Sequence, residues 1–410
     1  MPNNNCRLCQ SPTIEVINFG QMPIANHFVQ SKDEDKYRFE MTAAFCPACF
    51  MFQITEQPEP EMMFHGEYPF FTGLSKAMTK HFEEMAEDHL PTKEEELEDF
   101  FVVEIGSNDG TFLHSVAKKG LKHLGIDPSS NVVKIANEKG IHSEVLFFSE
   151  NTALDVLKRY KKAERIFAAN VICHIPDLND FAKGIKILLA QNGQFIFEEP
   201  YLLSMLEKTS YDQIYDEHVY IFSISSIQEL FKRHGLEVVD AIAQKSHGGS
   251  MRYVIQHVGQ NTISLRAQEN LKKEIDFGIN QTETYIKFSI NCASRKNEFK
   301  TLLQRLKSEG CRVAGYAATS KSTTVLNYCG INEELIEYIS DSTPEKIGKL
   351  CPGTYIPVIS HDQMRLDPPD YLVLFAWNHE REILSKELEL TNRGVKWIKF
   401  VPEVGFINEK

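Results

Sequence analysis

No run of about 18 apolar residues occurs in the chain, so no membrane-spanning helix is expected. The segment after Met1, Pro-Asn-Asn-Asn, is polar and lacks the apolar stretch of a secretion signal. Low-complexity tracts are missing too. A chain of 410 residues, 42% hydrophobic, has material for two or three packed domains. Positive charge is scarce: 44 Lys and Arg face 57 Asp and Glu, a net charge of −13. That balance excludes a broad nucleic-acid surface and adhesion to anionic lipid, while a local basic pocket stays compatible with it. Neither nucleic acid nor a membrane is expected as a partner. Cysteine comes to nine, an odd number, with four in metal-like pairs and five scattered. That usage fits a reducing cytoplasm.

What is there is organised around residues 100–113, Phe-Phe-Val-Val-Glu-Ile-Gly-Ser-Asn-Asp-Gly-Thr-Phe-Leu. The apolar run to Ile105 reads as a buried strand, residues 106–110 as a glycine turn, and the stretch from Thr111 as a helix. Such a corner holds phosphate or carboxylate in a doubly wound α/β domain. The dinucleotide spacing G-x-G-x-x-G is absent here. Glu104-x-Gly106-x-x-x-Gly110 stands in its place, with Asn108 and Asp109 inside the turn. An acid before the turn suits a ligand bearing an ammonium and a carboxylate, and S-adenosylmethionine is such a ligand. A second strand, from His123, ends at Asp127, where an acid can accept hydrogen bonds from two ribose hydroxyls.

Ahead of this core, Cys6-Arg-Leu-Cys9 and Cys46-Pro-Ala-Cys49 supply four thiolates able to close a structural zinc site. A helix is expected over Ser75–Glu87 with Ser75 as N-cap. Behind the corner, 142–149 reads as a third strand, with Phe147 or Phe148 placed to flank an adenine. The strand from Arg165 runs toward Asn170 and His174, and the strand from Gly193 ends in acids and Pro200. Open α/β sheets bind ligands at the carboxyl ends of their strands, which puts Asn170 and His174 at the working edge. The densest polar and aromatic stretch follows, with Tyr215, Glu217, His218 and Tyr220 close together. Histidine titrates near neutrality and a neighbouring carboxylate raises its basicity. One long helical segment is expected from Ser264 to Gly310, then a second, smaller α/β fold. Its hydroxyl-rich loop, Ala318-Thr-Ser-Lys321-Ser322, could cradle phosphate oxygens, though it lacks P-loop glycines.

Taken in order, these segments resemble a known family, the three-domain S-adenosylmethionine-dependent C-methyltransferases of nucleotide-linked 4-keto deoxyhexoses. The carriers are the Cys pairs with Pro23-Ile-Ala-Asn-His-Phe between them, Glu104-Ile-Gly-Ser-Asn-Asp-Gly, and Asn170-Val-Ile-Cys-His-Ile-Pro. Tyr215-Asp-Glu-His-Val-Tyr, His247-Gly-Gly-Ser, Gly315-Tyr-Ala-Ala-Thr-Ser-Lys and Asn327-Tyr-Cys-Gly complete the set. The resemblance implies a zinc module over 1–66, a class I, Rossmann-like methyltransferase core over 67–258, and a smaller Rossmann-like α/β domain over 259–410. It implies methylation at C3 of the sugar. His218 would act as base with Glu217 in support, and Tyr215 and His174 would be hydrogen-bond donors to the C4 oxygen. The expected cofactor contacts are Glu104, Gly106, Asn108, Asp109, Gly110, Asp127, Phe148 and Asn170. Tyr68, Tyr220, Lys321 and Ser322 are expected at the sugar nucleotide, and the chain is expected as a monomer or weak homodimer. Where the family often has Tyr-x-Tyr-x-Ser-Ser, this chain reads Tyr68-Pro-Phe-Phe-Thr-Gly, so only Tyr68 carries over. Oxygen or nitrogen methylation, or a non-catalytic zinc-ribbon protein, stay open as other classes.

Overall fold

The computed structural model describes residues 5–63, 71–92 and 99–407. The described residues form three sheets. The N-terminal one begins with β1 (Ile14–Met22), β2 (Phe39–Phe45) and β3 (Phe52–Ile54), all antiparallel.

The central sheet starts at β4 (Phe101–Ile105), buried along its whole length, and continues through β5 (Lys122–Asp127) and β6 (Ser143–Val145). Then come β7 (Ala163–Ala169) and β8 (Leu189–Pro200). A short strand, β9 (Tyr220–Ile221), leaves this sheet and pairs with β3. The N-terminal sheet is therefore completed from inside the central segment. The chain returns with β10 (Leu236–Gln244) and β11 (Ser250–His257). The resulting order is β10-β11-β8-β7-β4-β5-β6, with β4 to β8 parallel and the last two antiparallel. Apolar, β-branched runs buried on both faces are what a parallel sheet requires. The order reverses between β4 and β7, and the crevice opens there, at the carboxyl ends.

The third sheet holds β12 (Val313–Tyr316), β13 (Ile339–Asp341), β14 (Val358–Ser360), β15 (Tyr371–Leu374), β16 (Lys396–Lys399) and β17 (Gly405–Phe406). Its order is β14-β13-β12-β15-β16-β17, parallel except for the last pair. Its reversal lies between β12 and β15. Each α/β sheet thus has its own crevice.

Two expectations need correction. The helix expected from Ser264 to Gly310 is two helices, Leu265–Phe277 and Thr282–Ser308. Gly278 takes a left-handed conformation (φ +86) and ends the first, which a residue with a Cβ resists. The third strand covers only Ser143–Val145, because Ser149 already caps the next helix through the Thr152 N–H and the chain must leave the sheet to reach it. The helix expected over 75–87 runs Lys76–His89, with Ser75 accepting from the Met78 N–H. No helix among the described residues is long and apolar enough to cross a membrane.

Candidate active site

The two crevices open onto one cavity of about 580 Å³. From the central sheet it is lined by Gly106, Asn108, Asp127, Phe148, Asn170 and His174. Tyr215, Glu217 and His218 line it from the loop after β8, and Thr319, Ser320 and Lys321 from the C-terminal sheet.

The cofactor corner is built by close approach. Gly106 (φ +72) faces Val171 of the turn after β7, and a Cβ there would lie 2.1 Å from Val171 Cγ2. Asp127 Oδ2 accepts from the Asn108 N–H at 2.9 Å and Oδ1 from the Ser129 N–H at 2.9 Å, so the acid is fixed at the mouth of the turn. Asn108 Oδ1 accepts from the Thr72 N–H at 3.0 Å, which brings the segment before the helix Lys76–His89 over the corner. Glu104 is buried at the end of β4, and its Oε2 has no hydrogen-bond partner among the described residues. Burial, with the Asp127 and Asp109 charges nearby, holds Glu104 well above the carboxylate range. A buried acid of this kind calls for a cationic ligand. S-adenosylmethionine carries an ammonium and a sulfonium, so the residues present fit it.

Expected cofactor residues divide by placement. Gly106, Asn108, Asp127, Phe148 and Asn170 line the cavity, while Glu104, Asp109 and Gly110 lie behind that lining. Asp109 is engaged in holding the turn: it accepts from Thr111 Oγ1 at 2.6 Å, from the Gly73 N–H at 3.2 Å and from Lys139 Nζ at 3.0 Å. Gly110 (φ +76) is the N-cap of the following helix and packs on Ala136 and Ile141.

The polar stretch gives a defined tautomer. His218 Nδ1 lies 2.8 Å from the Gln213 carbonyl, which can only accept, so Nδ1 carries the proton. Nε2 is then the acceptor, and the Tyr215 hydroxyl donates to it at 2.7 Å. His174 stacks beside it, with ring centroids 5.5 Å apart. Burial pushes His174 down to about 4 and His218 well below the usual imidazole range. Both are neutral at pH 7.

Several expectations change here. Glu217 does not support His218; its Oε1 accepts from Asn26 Nδ2 at 2.6 Å, since consecutive residues of an irregular loop point apart. Tyr220 is buried in β9 and its hydroxyl donates to the Pro176 carbonyl at 2.8 Å, so it is turned away from the cavity. Ser322 is buried too: its Oγ donates to the Thr319 carbonyl at 2.6 Å, while its N–H donates to the Thr319 capping oxygen at 3.1 Å. The Thr319 hydroxyl caps the helix, and the Ser322 hydroxyl is spent on the Thr319 carbonyl inside the first turn. Tyr68 lies outside the described residues. Lining residues not anticipated include Asn26, Thr72, His247, Lys346, Asn378 and His379. Asn26 and His247 lie in the Pro-Ile-Ala-Asn-His-Phe and His-Gly-Gly-Ser motifs and Thr72 in the Tyr68-Pro-Phe-Phe-Thr-Gly segment; the others carried no comparable signal in the sequence.

The cysteine pairs meet as expected. Cys6 and Cys49 sulfurs are 3.5 Å apart, as are those of Cys9 and Cys46, and all four lie within 4.8 Å of one another. A tetrahedral zinc with Zn–S bonds of about 2.3 Å needs sulfurs about 3.8 Å apart, so the set fits that ion. None of the four lines the cavity.

Three family models match the chain in order. They are a zinc binding domain over residues 6–64, a methyltransferase domain over 75–241, and a C-methyltransferase C-terminal domain over 245–402. The C-methyltransferase NovU of Streptomyces niveus is 30% identical over 409 residues, 98% of this chain and 96% of NovU. The chain belongs to this C-methyltransferase family. Among solved structures, a SAM-dependent methyltransferase from Anabaena variabilis ATCC 29413 is 16% identical, with a TM-score of 0.36 over 45% of this chain and 86% of its own. The glycopeptide N-methyltransferase MtfA, complexed with S-adenosylmethionine, is 10% identical, with a TM-score of 0.34 over 44% and 93%. The C-methyltransferase thus consists of a class I, S-adenosylmethionine-dependent core between a zinc-binding module and a C-terminal α/β domain.

Proposed function

We propose that the enzyme methylates C3 of a nucleotide-linked 4-keto deoxyhexose through an enolate. The observation that carries this is the shared cavity into which both crevices open, with a neutral imidazole between them. One crevice has the acids for a cationic methyl donor. The other holds the N-terminal end of the helix Ser320–Cys329, where backbone N–H groups favour an anion such as a diphosphate.

In this reading His218 Nε2 removes the C3 proton. Tyr215 shifts its hydroxyl from Nε2 to the C4 oxygen as the substrate enters, and His174 donates to the same oxygen. Glu217, held by Asn26, faces the sugar as a hydrogen-bond acceptor. S-adenosylmethionine supplies the sulfonium methyl that the nucleophilic carbon takes. The zinc site stays structural, since none of its ligands lines the cavity. Nine unbridged cysteines suit a cytoplasmic setting.

The test is incubation with a panel of nucleotide-linked 4-keto-6-deoxyhexoses deuterated at C3, with methyl-labelled donor, read by mass. Gain of a methyl with loss of the deuterium is expected. Methyl gain with the deuterium retained would exclude methylation at C3 and end this reading. His218→Asn is expected to lower turnover by about 10²–10⁴-fold while cofactor affinity is kept.

A further inference from the structure

Lys321 is the second residue of the helix Ser320–Cys329, which follows β12. It lines the cavity and is 9% exposed. Its Nζ has no hydrogen-bond partner among the described residues. The Trp377 ring lies beneath it, 5.7 Å from Nζ to the centroid. Asp212 is the acid whose charge it feels, yet no hydrogen bond joins the two: Oδ2 accepts from Trp377 Nε1 at 2.7 Å and Oδ1 has no partner among the described residues. A buried ammonium without a partner is costly, and an anion present in the working complex would offset that cost.

We propose that the Lys321 ammonium pairs with the oxyanion that forms at C4 when the C3 proton leaves, making Lys321 a catalytic residue. The inference rests on the proposed enolate chemistry and deepens it. The C–H electron pair becomes the C3–C4 π bond, the carbonyl pair moves onto oxygen, and the proton goes to His218 Nε2. When C3 takes the methyl, the methyl–sulfur bond breaks with its pair left on sulfur, the carbonyl re-forms, His218 releases its proton to solvent and the ammonium is left as it began.

Three observations favour the oxyanion over a diphosphate as its partner. Lys321 lines the same cavity as His218, His247 and His379, and its charge adds to the burial that lowers each of them. A base as weak as buried, neutral His218 needs a strongly stabilised enolate, which a fixed charge in a water-poor site supplies. Lys346, half-buried on the cavity wall with Nζ on the Ala318 carbonyl at 2.8 Å, remains for a diphosphate.

The experiment follows exchange of C3 hydrogen for deuterium in D2O, using the full chain, a 4-keto sugar nucleotide that the wild type methylates, and S-adenosylhomocysteine in place of the donor. Lys321→Met is expected to lower the saturated exchange rate by about 10²–10³-fold, with substrate Kd changed less than about threefold. Lys321→Arg is expected to restore part of the rate. Wild-type exchange in Lys321→Met would overturn the proposal, as would a large loss of substrate affinity with the saturated rate intact. If wild type methylates the sugar without any C3 exchange or deuterium loss, the C3 enolate reading itself fails and this proposal with it.

Discussion

At the scale of single residues, burial decides the chemistry. His174 is pushed down to about 4, His247 to about 3, and His218 well below the usual range, each chiefly by desolvation. A base works in its unprotonated form, so lowered values extend activity toward acid. The saturated C3 exchange rate is expected to stay flat from about pH 8 to about pH 5.5, where an ordinary histidine would already lose activity below about 6.5. A limb centred near the ordinary histidine value would show that the working imidazole is solvated. The same shifts link to stability: a lowered histidine stabilises the fold above its unfolded value, and that contribution is lost as pH falls toward the folded one. Gly106 is the other single-residue constraint. Gly106→Ala sets a Cβ 2.1 Å from Val171 Cγ2 at φ +72. A calorimetric loss of S-adenosylhomocysteine affinity of at least about tenfold is expected, and adding Val171→Ala should not restore it fully because the left-handed strain of about 1–2 kcal/mol remains.

At the scale of elements, the strand ends were legible and the loops were not. Apolar runs ending in an acid, an asparagine or a glycine turn located β4, β5, β7 and β8, because burial on both faces leaves a continuous apolar signature. The cysteine spacing located the thiolate cluster for a similarly local reason. Tyr220 is off the cavity, and Glu217 lines it but pairs with Asn26, because chain proximity to His218 says nothing of direction in a loop. Ser322 is not on the cavity because its hydroxyl turns inward to the Thr319 carbonyl, a direction that a hydroxyl-rich sequence does not reveal. Glu199 was legible only as an acid at a strand end, yet it holds the turn that presents His174. Its Oε1 accepts from the N–H groups of Val171 at 2.9 Å, Ile172 at 2.6 Å and Cys173 at 3.4 Å. Burial raises Glu199 to about 7. Glu199→Ala leaves those donors without an acceptor, and a loss of about 1–3 kcal/mol is expected in denaturant unfolding. Glu199→Gln keeps an acceptor and should recover much of the stability; equal losses in both would mean that the carboxylate charge matters more than the hydrogen bonds.

At the scale of the whole molecule, the zinc module reaches the reaction through the segment that carries His218. The Ala25 N–H donates to Asp216 at 3.1 Å, Asn26 donates to Glu217 at 2.6 Å, and β3 pairs with β9. The C-terminal domain holds the same segment from the other side, through Thr324 Oγ1 on the Ile214 carbonyl at 2.9 Å and Trp377 on Asp212. The cofactor corner, by contrast, is made by β4, β5 and the turn after β7. Removing zinc should therefore separate two properties that a simple unfolding would lose together. Structural zinc contributes about 10–16 kcal/mol of binding energy in small zinc domains, so a stripped module is not expected to hold its fold. After chelation, S-adenosylhomocysteine binding by calorimetry is expected to persist while C3 exchange is lost, and added zinc should restore the exchange. Exchange that survives in metal-free protein would show that the loop is braced well enough by the C-terminal domain alone.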